Sequence, residues 1–264
     1  MPARNSPRRS LGRECIFTSS AGVELPTTET HTLDAPLRLK PHVTLQGKDG
    51  GVAALTTTGP DVNFIELDPG EDEAAHTITI RQLHLKGPGT SEDVTQDVSN
   101  DSLVGCGILA STVGDGKEVH RVTIEACVIE NVSGCGIRFD TRHDVLVRDV
   151  TIRDCMLRQN RRPADPNKAN SYKDIFFNGT RFQDIHLENN ICTFTPTNAS
   201  TFGNDSGIGF VINQVKRPGC FVRDTKILGN TCSGHRRHGI ITNYSSLVPS
   251  NVDVRDNTCQ DNRL

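Results

Sequence analysis

The sequence predicts an all-β solenoid, and three observations carry that prediction. A phrase of alternating apolar residues recurs along the chain: "VTIEACVIEN" (122–131), "VTIRDCMLRQN" (150–160) and "VDVRDNTCQDN" (252–262). A second short element precedes each phrase: "CGILA", "CGIRFD", "DIFFN", "GIGFVIN" and "GIITN". The composition disfavours helix, with no Trp, two Met, 23 Gly and abundant Asn, Asp and Thr. Long runs of strong helix formers are missing.

Aligned on their apolar residues, the phrases place Ile80, Ile124, Ile152, Leu187, Val222 and Val254 at one position. Two residues earlier come Ile78, Val122, Val150, Ile185, Cys220 and Val252. Three later come Leu83, Cys127, Cys155, Asn190, Thr225 and Asn257, and five later Leu85, Ile129, Leu157, Cys192, Ile227 and Cys259. "LKPHVTLQG", with Leu45 in the reference position, is a weaker first copy. A repeat of this length implies a solenoid or a propeller. The polar pair inside the phrase ("EA", "RD") breaks the alternation once and reads as a tight corner between strands. Ile108, Ile137, Ile175, Ile208 and Ile240 share a position in the preceding element. The unit is therefore strand, turn, strand, tight corner, strand, loop. Helical repeats need about 10 periodic residues per helix, and none fits. Propeller hairpins with Asn-Gly or Asp-Gly turns are missing, as is a leucine-rich-repeat frame.

The "GI" strands, the "V-x-I-x-[DNA]-[CNT]-x-[ILC]" corners and the closing Asn131, Asn160, Asn230 and Asn262 resemble the pectate-lyase-like superfamily. The opening "VELPTTETHTLDAPLRLKPHVTLQGKDG" resembles the N-terminal coils of its bacterial and phage members. The resemblance implies a right-handed parallel β-helix of about seven coils, three short strands per coil, over residues 21–264. Residues 1–20 are expected to be a disordered or atypical leader, containing the basic "PARNSPRRS". Stacked coils, about 4.8 Å apart, turn each aligned position into a ladder inside the tube. The nine cysteines show no zinc-ligand spacing. They read as buried thiols, with Cys127–Cys155 or Cys106–Cys135 near enough for a disulfide. The chain stops just after a corner, which reads as a missing cap, supplied by a longer chain or by a partner subunit in an oligomer.

Net charge is −3, so no global field points to nucleic acid or an anionic membrane. No apolar run is long enough to span a bilayer, and no signal peptide opens the chain. The resemblance itself implies an extracellular or periplasmic protein.

In pectate-lyase-like enzymes the substrate groove follows the sheet made by the "GI" strands. Inward Ile fixes the alternation, so the outward residues are Glu66 and Asp68, Leu109 and Ser111, Arg138 and Asp140, Phe176 and Asn178, Gly209, Val211 and Asn213, and Ile241 and Asn243. The polar stripe is Asp68, Ser111, Asp140, Asn178, Asn213 and Asn243. "RFDTRHD" (138–144) is the richest stretch. A uronate lyase or C5-epimerase needs a cation against the carboxylate and a base for the C5 proton. Arg138, Arg142 and His143 suit those needs. "DTRHD" resembles the Asp-Pro-His-Asp motif of alginate C5-epimerases, with Asp140, His143 and Asp144 as counterparts; the spacing differs by one residue and Pro is absent. The catalytic candidates are thus Asp140, His143, Arg138 and Asp144. Substrate-binding candidates are Asp68, Glu66, Arg142, Lys173, Asn178, Arg181, His235, His238 and Asn243. His235 and His238 belong to the "SGHRRHG" loop, while Lys173 and Arg181 flank the insertion 161–173; a second insertion spans 88–105. An acidic polysaccharide is the expected partner. Two alternatives stay open. One is a non-catalytic glycan-binding or structural rod, as on a cell surface or phage tail. The other is an inverting glycoside hydrolase using Asp68 and Asp140, about 9.6 Å apart by the stacking rise. No cofactor is implied. The calcium candidate, Asp68, Glu71 and Asp72 in "DPGEDE", has no recognised loop motif.

Overall fold

The computed structural model describes residues 10–11, 15–17, 22–67, 74–88, 103–113, 116–142, 145–160, 173–195, 206–212, 219–235, 237–243 and 249–262. Three sheets, all parallel, run along the chain. Sheet I has nine strands and sheets II and III have eight each. The chain visits them in the order I, II, III, so each coil contributes one strand to every sheet: a parallel β-helix. One coil is Val128–Glu130 in sheet I, Ile137–Arg142 in sheet II and Leu146–Arg153 in sheet III. The strand Gly22–Leu25 pairs with Thr44–Gly47, so one further coil precedes the copy at Leu45. Ser10–Leu11 and Cys15–Phe17, within the expected leader, pair with Thr30–Leu33 and Leu37–Leu39. Among the described residues no helix is long and apolar enough to cross a membrane.

The aligned apolar positions are interior ladders. Ile80, Ile124, Ile152 and Leu187 are cross-strand partners in sheet III, and all are buried. One register differs from the sequence alignment. Leu187 pairs with Ile227, and Val222 pairs with Phe182. From the strand Ala75–Arg81 onward each coil carries two bends, and "VRDVTIRDC" writes Arg-Asp at both. Asp149 (φ 52°) kinks the sheet III strand, and Asp154 (φ 54°) turns the corner into sheet I. In "FVRDTKILGN" the Arg-Asp pair belongs to the first bend, with Asp224 at φ 52°, and Gly229 (φ 64°) takes the corner. Short polar residues tolerate this left-handed conformation, which explains why Asp and Asn recur there.

Re-registered, the corner ladder reads Leu83, Cys127, Cys155, Asn190, Asn230, Asn257. The amide of Asn190 donates to the Ile152 carbonyl (2.9 Å), and that of Asn230 to the Leu187 carbonyl (2.9 Å). The Asn190 backbone N–H donates to Asn230 Oδ1 (2.9 Å), and that of Asn230 to Asn257 Oδ1 (2.9 Å). Asparagine therefore satisfies backbone groups that the turn leaves inside the tube. Sheet I continues with Cys192, Cys232 and Cys259 in register. Cys106, Cys127, Cys135, Cys155, Cys192, Cys220, Cys232 and Cys259 are free thiols.

On the outside, charged side chains bridge coils. Glu130 receives His84 Nε2 (2.9 Å) and Arg158 Nε (2.6 Å). On sheet III, His42 meets His76 edge-on at 4.7 Å, and His76 stacks on His120 at 5.0 Å. Burial, with Arg148, Arg121 and His76 nearby, pushes His120 below the usual histidine range. Glu118 opposes that shift. Burial pushes Glu130 up, but the bonds from His84 and Arg158 outweigh it and hold the carboxyl low. For both groups the unfolded chain binds its proton at the higher pH, so stability falls on acidification. His120 acts first, as pH drops through about 6.5, and Glu130 only near the carboxylate range, about 4.3. Melting curves between about pH 7.5 and pH 5.5 should show a falling Tm whose slope flattens in His120→Gln; an unchanged slope would assign the loss elsewhere.

Candidate functional site

The outward face of sheet II is built by the inward packing of the same strands. Phe139, Phe177 and Phe210 stack inside the tube with ring centroids 4.7 Å apart at both steps. Phe182 meets Phe177 edge-on at 5.7 Å. With these rings fixed inside, their neighbours in sequence must point out. The register then places Glu66, Leu109, Arg138, Phe176, Gly209 and Ile241 in one outward row. Ser111, Asp140, Asn178, Val211 and Asn243 form the next. Val211 thus occupies the rung expected for Asn213, which lies outside the described residues.

Arg138 and Asp140 face each other across this surface. Arg138 Nε donates to Asp140 Oδ2 at 2.9 Å, and Arg138 Nη2 reaches the same oxygen. Asn178 Nδ2 adds a third donor at 2.9 Å. Both partners are 3% exposed, so the pair is an outer-face cluster shielded from water, not a solvated turn. Burial opposes the arginine charge, but Cys135, Asp140 and Cys106 outweigh it and hold the guanidinium more firmly protonated than usual. The Arg138 guanidinium carbon lies 5.4 Å from the Phe176 ring centroid. Lys173 Nζ lies 4.4 Å from the same centroid, with the residue 2% exposed. Two cations thus lie against one aromatic ring, Arg138 from the preceding coil and Lys173 on the Gly209 side. Gly209 makes room for the lysine stem: a Cβ there would lie 2.1 Å from Lys173 Cδ.

The other expected residues are scattered. Glu66 accepts Asn63 Nδ2 (2.8 Å) and pairs with Arg38 Nε (3.4 Å) at the far end of the row. His238 is half-buried and shares a row with Ser206 and Lys173. Arg181 belongs to sheet III, where its guanidinium lies 5.3 Å from the Phe221 centroid. Asp68, His143 and Asp144 lie outside the described residues, as do Glu71 and Asp72 of the calcium candidate and the side chains of Arg142 and Asn243.

His235 differs most from expectation. Read as a surface loop residue, it is 0% exposed. Its Nε2 lies 2.9 Å from Asp174 Oδ2, and its Nδ1 lies 3.1 Å from Asn262 Oδ1. Asn160 Nδ2 donates to Asp174 Oδ1 at 3.1 Å. The cause is a glycine column at the start of the sheet II strands: Gly107, Gly136, Gly207 and Gly239. A Cβ on Gly136 would lie 2.8 Å from the Asp174 carbonyl, so the coils approach too closely there for ordinary side chains. Asp174 is the exception in that column, and its carboxylate turns inward to His235 and Asn160. This buried quartet is structural, and "DIFFN" in place of "GI" was its signal in the sequence.

The buried thiols Cys106 and Cys135, expected to lie near one another, also belong to this face. Cys106 and Cys135 pack with Leu109 and Phe176, beside Arg138 and Lys173. Among the described residues no group of three or more His, Cys, Asp or Glu is arranged to hold a metal ion.

No family model and no curated protein matches the chain. Among solved structures, the Dettilon tailspike protein aligns over 92% of this chain and 60% of its own length, with 13% identity and a TM-score of 0.27. The β-helix assignment rests on the strand register, not on that likeness.

Proposed function

We propose that the chain is a glycan-binding β-helix that receives an acidic polysaccharide along the outward face of sheet II. The observation that carries this reading is the closed Arg138–Asp140–Asn178 network. Asp140 Oδ2 accepts from both neighbours at 3% exposure, so that oxygen is occupied and sheltered. A base that takes a C5 proton must reach the proton it abstracts. The network instead suits a rigid platform. Arg138 and Lys173 set a cationic field behind the face, where low dielectric strengthens it. Contact with sugar falls to the part-exposed Asn178, Ser111, His238 and Glu66. Repetition of the rows at about 4.8 Å offers equivalent partners to successive parts of an extended chain.

Calorimetry against polyuronates and neutral glycans tests the reading. The expected result is binding to polyuronates, weakened about fivefold by Asn178→Ala, the loss of one hydrogen bond, with no unsaturated product in ultraviolet absorbance. Unsaturated product that disappears in Asp140→Ala or His143→Ala would replace it with the uronate lyase. No binding to any glycan by a folded protein would leave a structural rod.

A further inference from the structure

We propose that Cys106 and Cys135 form a redox pair, oxidised by a small peroxide to a disulfide that joins two consecutive coils at the head of sheet II. The two residues lie on adjacent coils at matching positions, since the Gly107 N–H donates to the Cys135 carbonyl (3.1 Å) and Ile108 pairs with Ile137. Neighbouring strands are about 4.8 Å apart, within the roughly 4.4–6.8 Å that a disulfide allows between Cα atoms. Both thiols are buried in one cluster, against Leu109 and Phe176.

The surroundings separate this pair from the other cysteine ladders. The Cys106 thiol donates to Cys135, and the Lys173 backbone N–H and the Arg138 charge act on the same sulfur. These groups bring Cys135 down to about 7 against its burial, while Cys106, the donor, is pushed well up. The Cys127 and Cys155 thiols also donate to backbone, to the Glu125 carbonyl (3.4 Å) and the Arg153 carbonyl (3.3 Å). Hydrogen bonding and burial push Cys155 and Cys192 well up. Thiolate character beside a cation favours oxidation, and exposure decides which oxidants reach the sulfur.

The chemistry balances with hydrogen peroxide as oxidant. The Cys135 thiolate attacks one peroxide oxygen, an S–O bond forms, the O–O bond breaks, and the departing hydroxide takes a proton and leaves as water. Cys106 then attacks the sulfenic sulfur, an S–S bond forms, the S–O bond breaks, and the Cys106 proton leaves with the second hydroxide as water. Two thiols are oxidised and one peroxide is reduced to two waters. Burial keeps bulky reagents away, so the matching oxidant is small.

Titrating the whole protein with hydrogen peroxide, followed by non-reducing peptide mapping, tests the proposal. The expected result is a Cys106–Cys135 cross-linked peptide that forms roughly tenfold faster than oxidation at any other buried cysteine. In Cys106→Ser, a 1,3-dione present while the peroxide-treated protein is unfolded in urea should trap sulfenic acid at Cys135. Wild-type protein that first cross-links Cys127 to Cys155 or Cys192 to Cys232, or that leaves Cys135 reduced while other thiols oxidise, would overturn it. So would a Cys106→Ser variant with native melting behaviour and no trapped sulfenic acid.

Discussion

Asp174→Gly is expected to destabilise the β-helix by about 2–6 kcal/mol, the sum for two buried polar groups each left without a partner. Glycine is the residue that Gly107, Gly136, Gly207 and Gly239 place in the same column, so the backbone tolerates the change. What is lost is polar. His235 Nε2 loses its partner at 2.9 Å, and the Asn160 amide loses one at 3.1 Å, both deep inside the tube. A buried polar group without a partner carries its full desolvation cost. Asp174→Asn keeps an acceptor and should cost less. Urea unfolding reads the loss as a lower midpoint with an unchanged slope. A double-mutant cycle with His235→Ala should return a coupling energy well above zero. A small cost for Asp174→Gly, or additive single changes, would remove the quartet from the determinants of stability.

Phe177→Ala should cost a similar amount, about 3–5 kcal/mol. Phe177 is the middle ring of the stack, 4.7 Å from Phe139 on one side and from Phe210 on the other, with Phe182 edge-on at 5.7 Å. Alanine there opens a cavity between two rungs that backbone hydrogen bonds hold at fixed spacing, so the gap cannot close. Phe139→Ala removes a ring stacked on one Phe only and should cost less. Equal costs for the two substitutions would mean that the stack contributes nothing beyond burial. The change should also loosen the face above, because Arg138, Phe176 and Asn178 take their direction from these inward rings.

The sheets, the coil repeat and the outward rows were legible because side-chain direction alternates strictly along a strand. The inward Ile of each "GI" element assigned Arg138, Asp140 and Asn178 to one side of the sheet, and the register puts them there. Two kinds of information were not legible. One was the register of the fifth phrase, because Arg-Asp marks two different bends and only the pairing of Ile227 with Leu187 separates them. The other was exposure. Alternation says on which side of a sheet a residue lies, not what lies over it. Arg138 and Asp140 therefore read as part of a substrate groove, and the structure buries Arg138 beside the Phe176 ring and Asp140 under Arg138 and Asn178. His235 read as surface because "HRRH" is charged, and only its bond to Asp174, far away in sequence, draws it inside.

Backbone hydrogen exchange with and without an oligouronate tests the central claim most directly. The account predicts added protection in the sheet II strands Ile108–Val113, Ile137–Arg142, Lys173–Gly179 and His238–Asn243, with sheets I and III unchanged. Protection confined to Arg181–Glu188 and Phe221–Leu228 of sheet III, by a sugar that binds, would contradict it.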